Sequence, residues 1–290
     1  MNELLQQIIN GITLGGIYTL VAVGLSMIFG IVNIINFAHG EFYMIGAYLA
    51  LIVGVTLGLP VALVMAAGII GGGLLGYISE KLVFKPIRNT PHVNSIVVSM
   101  GLSIILANGA ISVFTPTPKT IPPLFGTGVV NVFGTYVSVQ RLCILLISVI
   151  LISLLTFFVE RTWMGMAMRS VAQDQTTARL MGINIDTVSS VTFIIGTALA
   201  AVSGILVGSL FVIEPHMGGV IGLKAFAVVI LGGVGSIPGA IVAGMVLGVS
   251  ETLAAGYLST GLKDLVAFAI MIGVLLFRPS GIWGRKKATW

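Results

Sequence analysis

ERTWMGMAMRSVAQDQTTARLMGINIDT, residues 160–187, is the longest run in the chain that could not sit in hydrocarbon. It carries Arg161, Arg169 and Arg179 with Glu160, Asp174 and Asp186, in a protein with only 14 Lys and Arg and 9 Asp and Glu. On either side lie apolar runs of about 18 residues or more, each long enough to cross a hydrocarbon core of about 30 Å as a helix. A soluble domain carries about 25% charged residues, whereas these 290 residues are 8% charged and 57% apolar. The expected fold is therefore all-α, a polytopic membrane helical bundle forming a single transmembrane domain over residues 1–290. A β-barrel would show segments of about ten residues with alternating polarity, and the sequence has none.

Working outward from residues 160–187, span five covers residues 142–159 and span six residues 188–212. Upstream, the first span runs from Ile8 to Gly30, and a polar break follows at IVNIINFAHGE, residues 31–41. Spans two and three flank a turn at Gly58-Leu59-Pro60, and span four covers residues 93–114. The proline- and glycine-rich loop after it, TPTPKTIPPLFG onward, forbids regular helix over much of its length. Downstream, IEPHMGGVIGL (213–223) is a glycine-rich turn. Lys224–Leu231 is too short to span alone, and either extends back through the turn or is a half-helix. GGVGSIPG (232–239) breaks the chain before a span over residues 240–258, and a last span covers 262–277. The count is eight or nine membrane segments.

Ten of the 14 Lys and Arg fall on one side in this threading: Lys81, Lys85, Arg88, Arg161, Arg169, Arg179, Arg278, Arg285, Lys286 and Lys287. Basic loops stay in the cytoplasm, so residues 160–187 and the C-terminus are expected there, with the N-terminus outside. The net charge of +5 records that bias rather than a nucleic-acid partner. MNELLQQ holds no Lys or Arg ahead of the first apolar run, which argues for a retained span rather than a cleaved signal. Cys143 is the one cysteine, so neither a disulfide framework nor a cysteine metal site is available. NFAHGEFYMIGAYLALIVG (36–54) and GGVGSIPGAIVAGMVLGVS (232–250) both open a Gly/Ala-studded helix from a polar break, a possible internal repeat of the kind transporters show.

His39, His92 and His216 are scattered, and no HExxH, GxSxG, paired carboxylates or GxxxxGK[ST] loop occurs, so no cofactor is expected and ATP cannot bind in the P-loop manner. Asn33, Asn36, His39 and Glu41 gather amide, imidazole and carboxylate between two apolar spans. They read as lining a pathway or gate, or as a structural turn at the interface. Asn108 is a lone amide in span four, expected to bond across to a neighbouring helix or to meet solute. Ser236, in the second glycine-rich break, is the further candidate for the path. Glycine pairs at four-residue spacing (11/15, 72/76, 204/208, 235/239, 244/248) predict close helix crossings, some of them open to a subunit interface. Within 160–187, Ser170 and Gln173 fit a capping box and Gly182 a helix stop, predicting one or two short helices. Composition alone also permits an ordinary solvated loop.

The sequence resembles the permease subunits of branched-chain amino acid ABC importers, the LivH type. The residues carrying the resemblance are Gly15–Tyr48 with NFAHGEF, RSVAQDQTTARLMGINID (169–186), FIIGTALAAVSGILVG (193–208) and LGGVGSIPGAIVAGMVLGVSE (231–251). It implies a type II ABC importer-like permease in a bacterial inner membrane, paired with a second related permease more readily than with itself. It further implies two cytoplasmic ATPases and an external binding protein. By the same resemblance residues 160–187 form the coupling segment, with Arg169, Gln173, Asp174, Thr177, Ala178, Arg179, Leu180, Met181 and Gly182 as its ATPase-docking residues. Thr176 stands where other coupling loops have glutamate, so their contacts do not carry over. Import of branched-chain amino acids is the implied activity, without catalysis by this chain. Import of urea or short amides within the ABC class, and a secondary transporter or channel outside it, are the alternatives. A secondary transporter would be expected to bury ionisable groups in its spans, and the spans read as almost free of charge.

Overall fold

The computed structural model describes residues 2–132, 134–278 and 281–283. Helix α1 (Asn2–Met27) runs on through a π-helical turn to Val32, and α2 (His39–Ala50) through another to Thr56. Next come α3 (Val61–Ser79), prolonged by tighter and wider turns to Ile87, and α4 (His92–Phe114). A small antiparallel hairpin, β1 (Val129–Val132) and β2 (Thr135–Ser138), occupies the loop where the prolines exclude helix. It leads into α5 (Val139–Arg161), α6 (Trp163–Gln173), α7 (Gln175–Leu180) and α8 (Ile185–Gly208). The chain ends with α9 (Met217–Gly232), α10 (Ile237–Tyr257) and α11 (Lys263–Phe277). Among the described residues eight helices are long and apolar enough to cross a membrane, and α9 is a shorter apolar one. The uncertain stretch after residue 213 is thus a helix that extends back through the expected turn to Met217. Arg285, Lys286 and Lys287 of the expected basic tail lie outside the described residues.

Burial separates core from rim. In their most apolar stretches α1 and α8 are 83% and 78% buried, against 11% for α4, 22% for α5 and 6% for α11. Without a hydrophobic effect between helices in lipid, close approach must come from small residues, and the predicted glycines supply it. Gly11 and Gly15 of α1 lie on Gly248 and Gly244 of α10. Gly72 and Gly76 of α3 lie on Ala201 and Thr197 of α8, and Gly204 of α8 on Tyr43 of α2. A Cβ at Gly46 or Gly204 would run into the backbone carbonyl of Ala201 or Tyr43. All five predicted pairs make their contacts inside this chain. Gly101 and Gly109 of α4, in contrast, have open space around them.

Two helices start inside the bundle. After Val32 the chain turns at Asn33 (φ 61°) and runs back along α1 until His39 Nε2 lies 3.1 Å from the Val21 carbonyl oxygen. Val21 is roughly 16 Å before the end of that helix at a rise of about 1.5 Å per residue. Residues 209–216 make the opposite entry. They leave the far end of α8, pair through Ile213 with Lys119 of the proline-rich loop, and deliver the start of α9 to α2, where Gly218 and Gly222 meet Gly40. At the other end, the carbonyls of Leu231 and Gly232 accept N–H bonds from Ile282 and Trp283, and Gly235 touches Gly30. The ends of α1, α3 and α9 and the α6–α7 pair therefore share one end of the bundle.

Candidate functional site

At that end, the residues of 160–187 fold into two capped helices. Thr162, extended, starts α6 by accepting the Gly165 N–H on its hydroxyl at 3.1 Å. Asp174 breaks the chain (φ −155°, ψ 111°) and starts α7, its Oδ1 accepting from Thr176 N–H at 2.8 Å and Thr177 N–H at 3.1 Å. The Thr177 hydroxyl donates to Oδ2 at 2.8 Å. The Thr177 hydroxyl first, then these amides, hold the Asp174 carboxyl below the usual carboxylate range. At the far end Gly182 takes φ +84°, where its lack of a Cβ removes the steric penalty. Its N–H donates to the Arg179 carbonyl at 3.0 Å, and Ile183 N–H to that of Ala178 at 3.1 Å, a Schellman closure.

The helix stop at Gly182 is as expected, but the capping box is not. Ser170 sits in the last turn of α6, its hydroxyl spent on the Met166 carbonyl at 3.1 Å, and Gln173 ends that helix. Asp174 wins because a carboxylate in extended backbone reaches both free amides of the next helix. Of the expected docking residues, Ala178 is buried and packs inward. Arg169, Gln173, Asp174, Thr177, Arg179, Leu180, Met181 and Gly182 are exposed together, Leu180 by 83% and Met181 by 78%. Arg169 donates to the Glu160 carbonyl at 3.3 Å. Between α6 and α7 lies a groove of about 430 Å³ lined by Trp163, Met166, Ser170, Thr177 and Met181. Gln175 was missed by sequence reading, since one glutamine in a polar run carries no signal. Its Nε2 donates to the Ile31 carbonyl at 3.3 Å and reaches that of Val32 at 3.5 Å, tying α7 to the end of α1 where the entry to α2 begins.

The polar break divides. Asn33 is exposed and closes the end of α1, its N–H on the Phe29 carbonyl at 3.0 Å. Asn36, His39 and Glu41 are fully or almost fully buried. The Asn36 Oδ1 accepts from Ala38 N–H at 3.0 Å, and Glu41 Oε1 accepts from the Ser103 hydroxyl of α4 at 2.8 Å. Asn36 Nδ2, His39 Nδ1 and Glu41 Oε2 are buried without a hydrogen-bond partner. The other two candidates do not join them. Asn108 faces outward from α4 and donates to its own Ile104 carbonyl at 2.8 Å rather than across to another helix. Ser236 caps α10 through the Gly239 N–H at 3.1 Å.

The spans are not free of charge, contrary to expectation. Glu41, Glu80, Lys224 and Glu251 are all buried within helices. Lys224 pairs with Glu251 of α10 and reaches Asp264 of α11 at 2.8 Å, while Tyr18 of α1 donates to Glu251 at 2.7 Å. Near the α7 end, Glu80 accepts from Arg88, Ser189 and Ser190, and Asp186 takes Arg88 and Lys85, both at 2.7 Å. Every buried carboxylate here has a cation or hydroxyl against it, as burial of charge demands. Pairing within the chain, rather than ion coupling, accounts for the Lys224–Glu251 and Arg88–Glu80 pairs.

Eight apolar helices long enough to span a bilayer, a buried break between α1 and α2 and a capped polar helix pair at one end define a multi-pass membrane protein. Residues 7–275 match the family model described as branched-chain amino acid transport system / permease component, and the chain belongs to that family. It is 40% identical over 296 residues to the high-affinity branched-chain amino acid transport system permease protein LivH of Salmonella typhimurium, covering 98% of this chain and 96% of the relative. The corresponding BraD of Pseudomonas aeruginosa is also 40% identical, with the same coverage of both chains. LivM of Escherichia coli, named as a permease protein of the same kind of system, is 26% identical over 93% of this chain and 68% of its own length. No solved structure matches the chain.

Proposed function

We propose that this chain is the permease subunit of an ATP-binding cassette importer for branched-chain amino acids. The relatives' names support the solute class. The coupling role is carried by one observation. Helix α7 is firmly capped at both ends, yet buries only Ala178 against its own chain while holding Leu180 and Met181 in the open. A short helix stiffened in this way and left bare of packing is built to be met by another protein. The occupant is a cytoplasmic ATPase, because this chain has no phosphate-binding loop of its own. Residues 160–187 are then the coupling segment within a single permease domain of residues 1–290. This end of the bundle, with Lys81, Lys85 and Arg88 beside it, faces the cytoplasm of a bacterial inner membrane, and the N-terminus lies outside.

Two ATPases and a second permease related to LivM complete the membrane complex, and an external binding protein delivers the solute. ATPase closure displaces α6 and α7, and Gln175 carries the displacement to the end of α1, opening the bundle to one side at a time. The test is purification of the chain from its native membrane. ATPase subunits should come with it, and hydrolysis should rise when a leucine- or isoleucine-loaded binding protein is added. Leucine uptake by liposomes containing this chain alone would refute the proposal.

A further inference from the structure

From the deep entry to α2, the inner face of α4 carries three hydroxyls one turn apart, Ser95, Ser99 and Ser103, the first two buried and the third half-buried. Each answers a polar group or sits in line with one. The Ser99 hydroxyl accepts the Phe37 N–H at 3.1 Å, and one turn further on Ser103 donates to Glu41 Oε1. Beside Ser99, Ile96 faces an apolar cavity of about 230 Å³ shared with Ile35, Phe37, Phe226 and Val229, in which the Phe37 and Phe226 rings stack 4.6 Å apart. The remaining carboxylate oxygen, Glu41 Oε2, is buried without a partner against Gly218 in the first turn of α9. Had Glu41 been only a cap for α9, Oε2 would take that helix's first amides, which have no partner within the helix. It takes none.

From this arrangement we infer that the solute crosses between α4 and the meeting point of α2 and α9, and that Glu41 Oε2 receives its ammonium group there. The inference rests on the amino-acid import proposed above and names the site within it. A zwitterion with an aliphatic side chain satisfies each part in turn. Its ammonium completes the Glu41 carboxylate, which otherwise holds an uncompensated acceptor at depth. Its carboxylate meets the positive end of α9, a helix of 16 residues whose start lies at this level. Its side chain lies toward Phe37 and Phe226, and the way to the opposite side follows the serine face of α4, where Ser99 already donates to the Ile96 carbonyl at 2.9 Å. Helix α4 is the outer wall of this path, only 11% buried in its apolar stretch against its own chain.

The experiment uses the complete complex, with its second permease, ATPases and binding protein, in liposomes with leucine as the probe. Glu41→Gln keeps the bond to Ser103 but removes the charge. It should cut leucine import by roughly tenfold or more, the scale of one lost charge-assisted hydrogen bond, while the loaded binding protein still stimulates ATP hydrolysis. A second measurement does not depend on that variant. In a Cys143→Ser background, Ser103→Cys should react with a small cationic thiosulfonate faster during turnover than at rest. Ile105→Cys, on the face of α4 turned away from the chain, should react equally in both. Wild-type import of leucine combined with undiminished import by Glu41→Gln would overturn the site alone, as would turnover-independent labelling of residue 103. A wild-type complex lacking ATP-driven leucine import would instead overturn the function proposed above.

Discussion

Replacing Leu180 and Met181 together by serine tests whether α7 is a docking element without touching the fold, because both side chains stand in the open, 83% and 78% exposed. Full burial of a Leu or Met side chain stabilises by about 1.5–3 kcal/mol. If a partner covers the four-fifths of each that this chain leaves bare, the pair contributes roughly 2.5–5 kcal/mol to association. Immobilising the two side chains together costs about 1–3 kcal/mol, which leaves a net of about 1.5–2 kcal/mol. At about 1.4 kcal/mol per decade, the double substitution should weaken ATPase binding roughly 10- to 30-fold. The caps at Asp174 and Gly182 are untouched, so insertion and thermal stability should stay at the wild-type level. Titration of the ATPase onto the permease in lipid nanodiscs gives the dissociation constant directly. A Kd unchanged by the double substitution would refute the docking assignment.

Arg179→Glu or Asp174→Lys should abolish uptake with normal membrane insertion. At the same position Asp174→Asn, which still caps, should keep uptake that Asp174→Ala loses. The Asp174 carboxyl lies below the usual range when folded, so its cap is complete above the unfolded value and is lost only as pH falls through the lowered one. Uptake between about pH 5 and 8 should therefore show no step from this group. Lys224→Met leaves Glu251 charged and buried, and should lower the thermal midpoint by the equivalent of about 3–5 kcal/mol. Lys224→Met with Glu251→Met should recover much of that loss. Gly204→Val, whose side chain has no room beside the Tyr43 carbonyl, should cost about 1–3 kcal/mol or more and reduce the monodisperse fraction on size exclusion. Gly101→Val, in open space, should not.

Much of the bundle was legible because spans and turns follow directly from hydropathy and from Gly and Pro. The turn at Gly58–Pro60, the helix stop at Gly182 and the glycine crossings are local or periodic signals, and the structure contains them. Depth was not legible. Asn33–Glu41 reads in one dimension as either a pathway lining or an interfacial turn, and the approach of His39 to Val21 shows that it is driven into the bundle. The buried charges escaped for a related reason. Glu251 and Lys224 are 27 residues apart and look like isolated polar residues until α9 and α10 bring them together. The serine ladder of α4 was hidden by its ordinariness, since Ser95, Ser99 and Ser103 gain meaning only opposite Phe37 and Glu41. Within residues 160–187 two cap motifs lay side by side, and the pattern favoured Ser170, whose hydroxyl a helix interior readily absorbs on the preceding turn.

Helix α7 has two roots. Gln175 fastens its start to the Ile31 carbonyl at the end of α1, and beyond Gly182 the chain continues straight into α8. A displacement applied to α7 therefore pulls on two neighbouring helices at once and in different senses, one through a side-chain amide and the other through the covalent backbone. Where α1 and α8 meet at Gly24 and Gly196, backbone lies on backbone, with the Ile28 side chain beside them. Interlocking leucines would resist relative motion there by forcing rotamer changes at every step. Two bare glycine surfaces can slip past each other without repacking, so the smoothness that lets this pair come close also makes it a bearing along which shear is cheap.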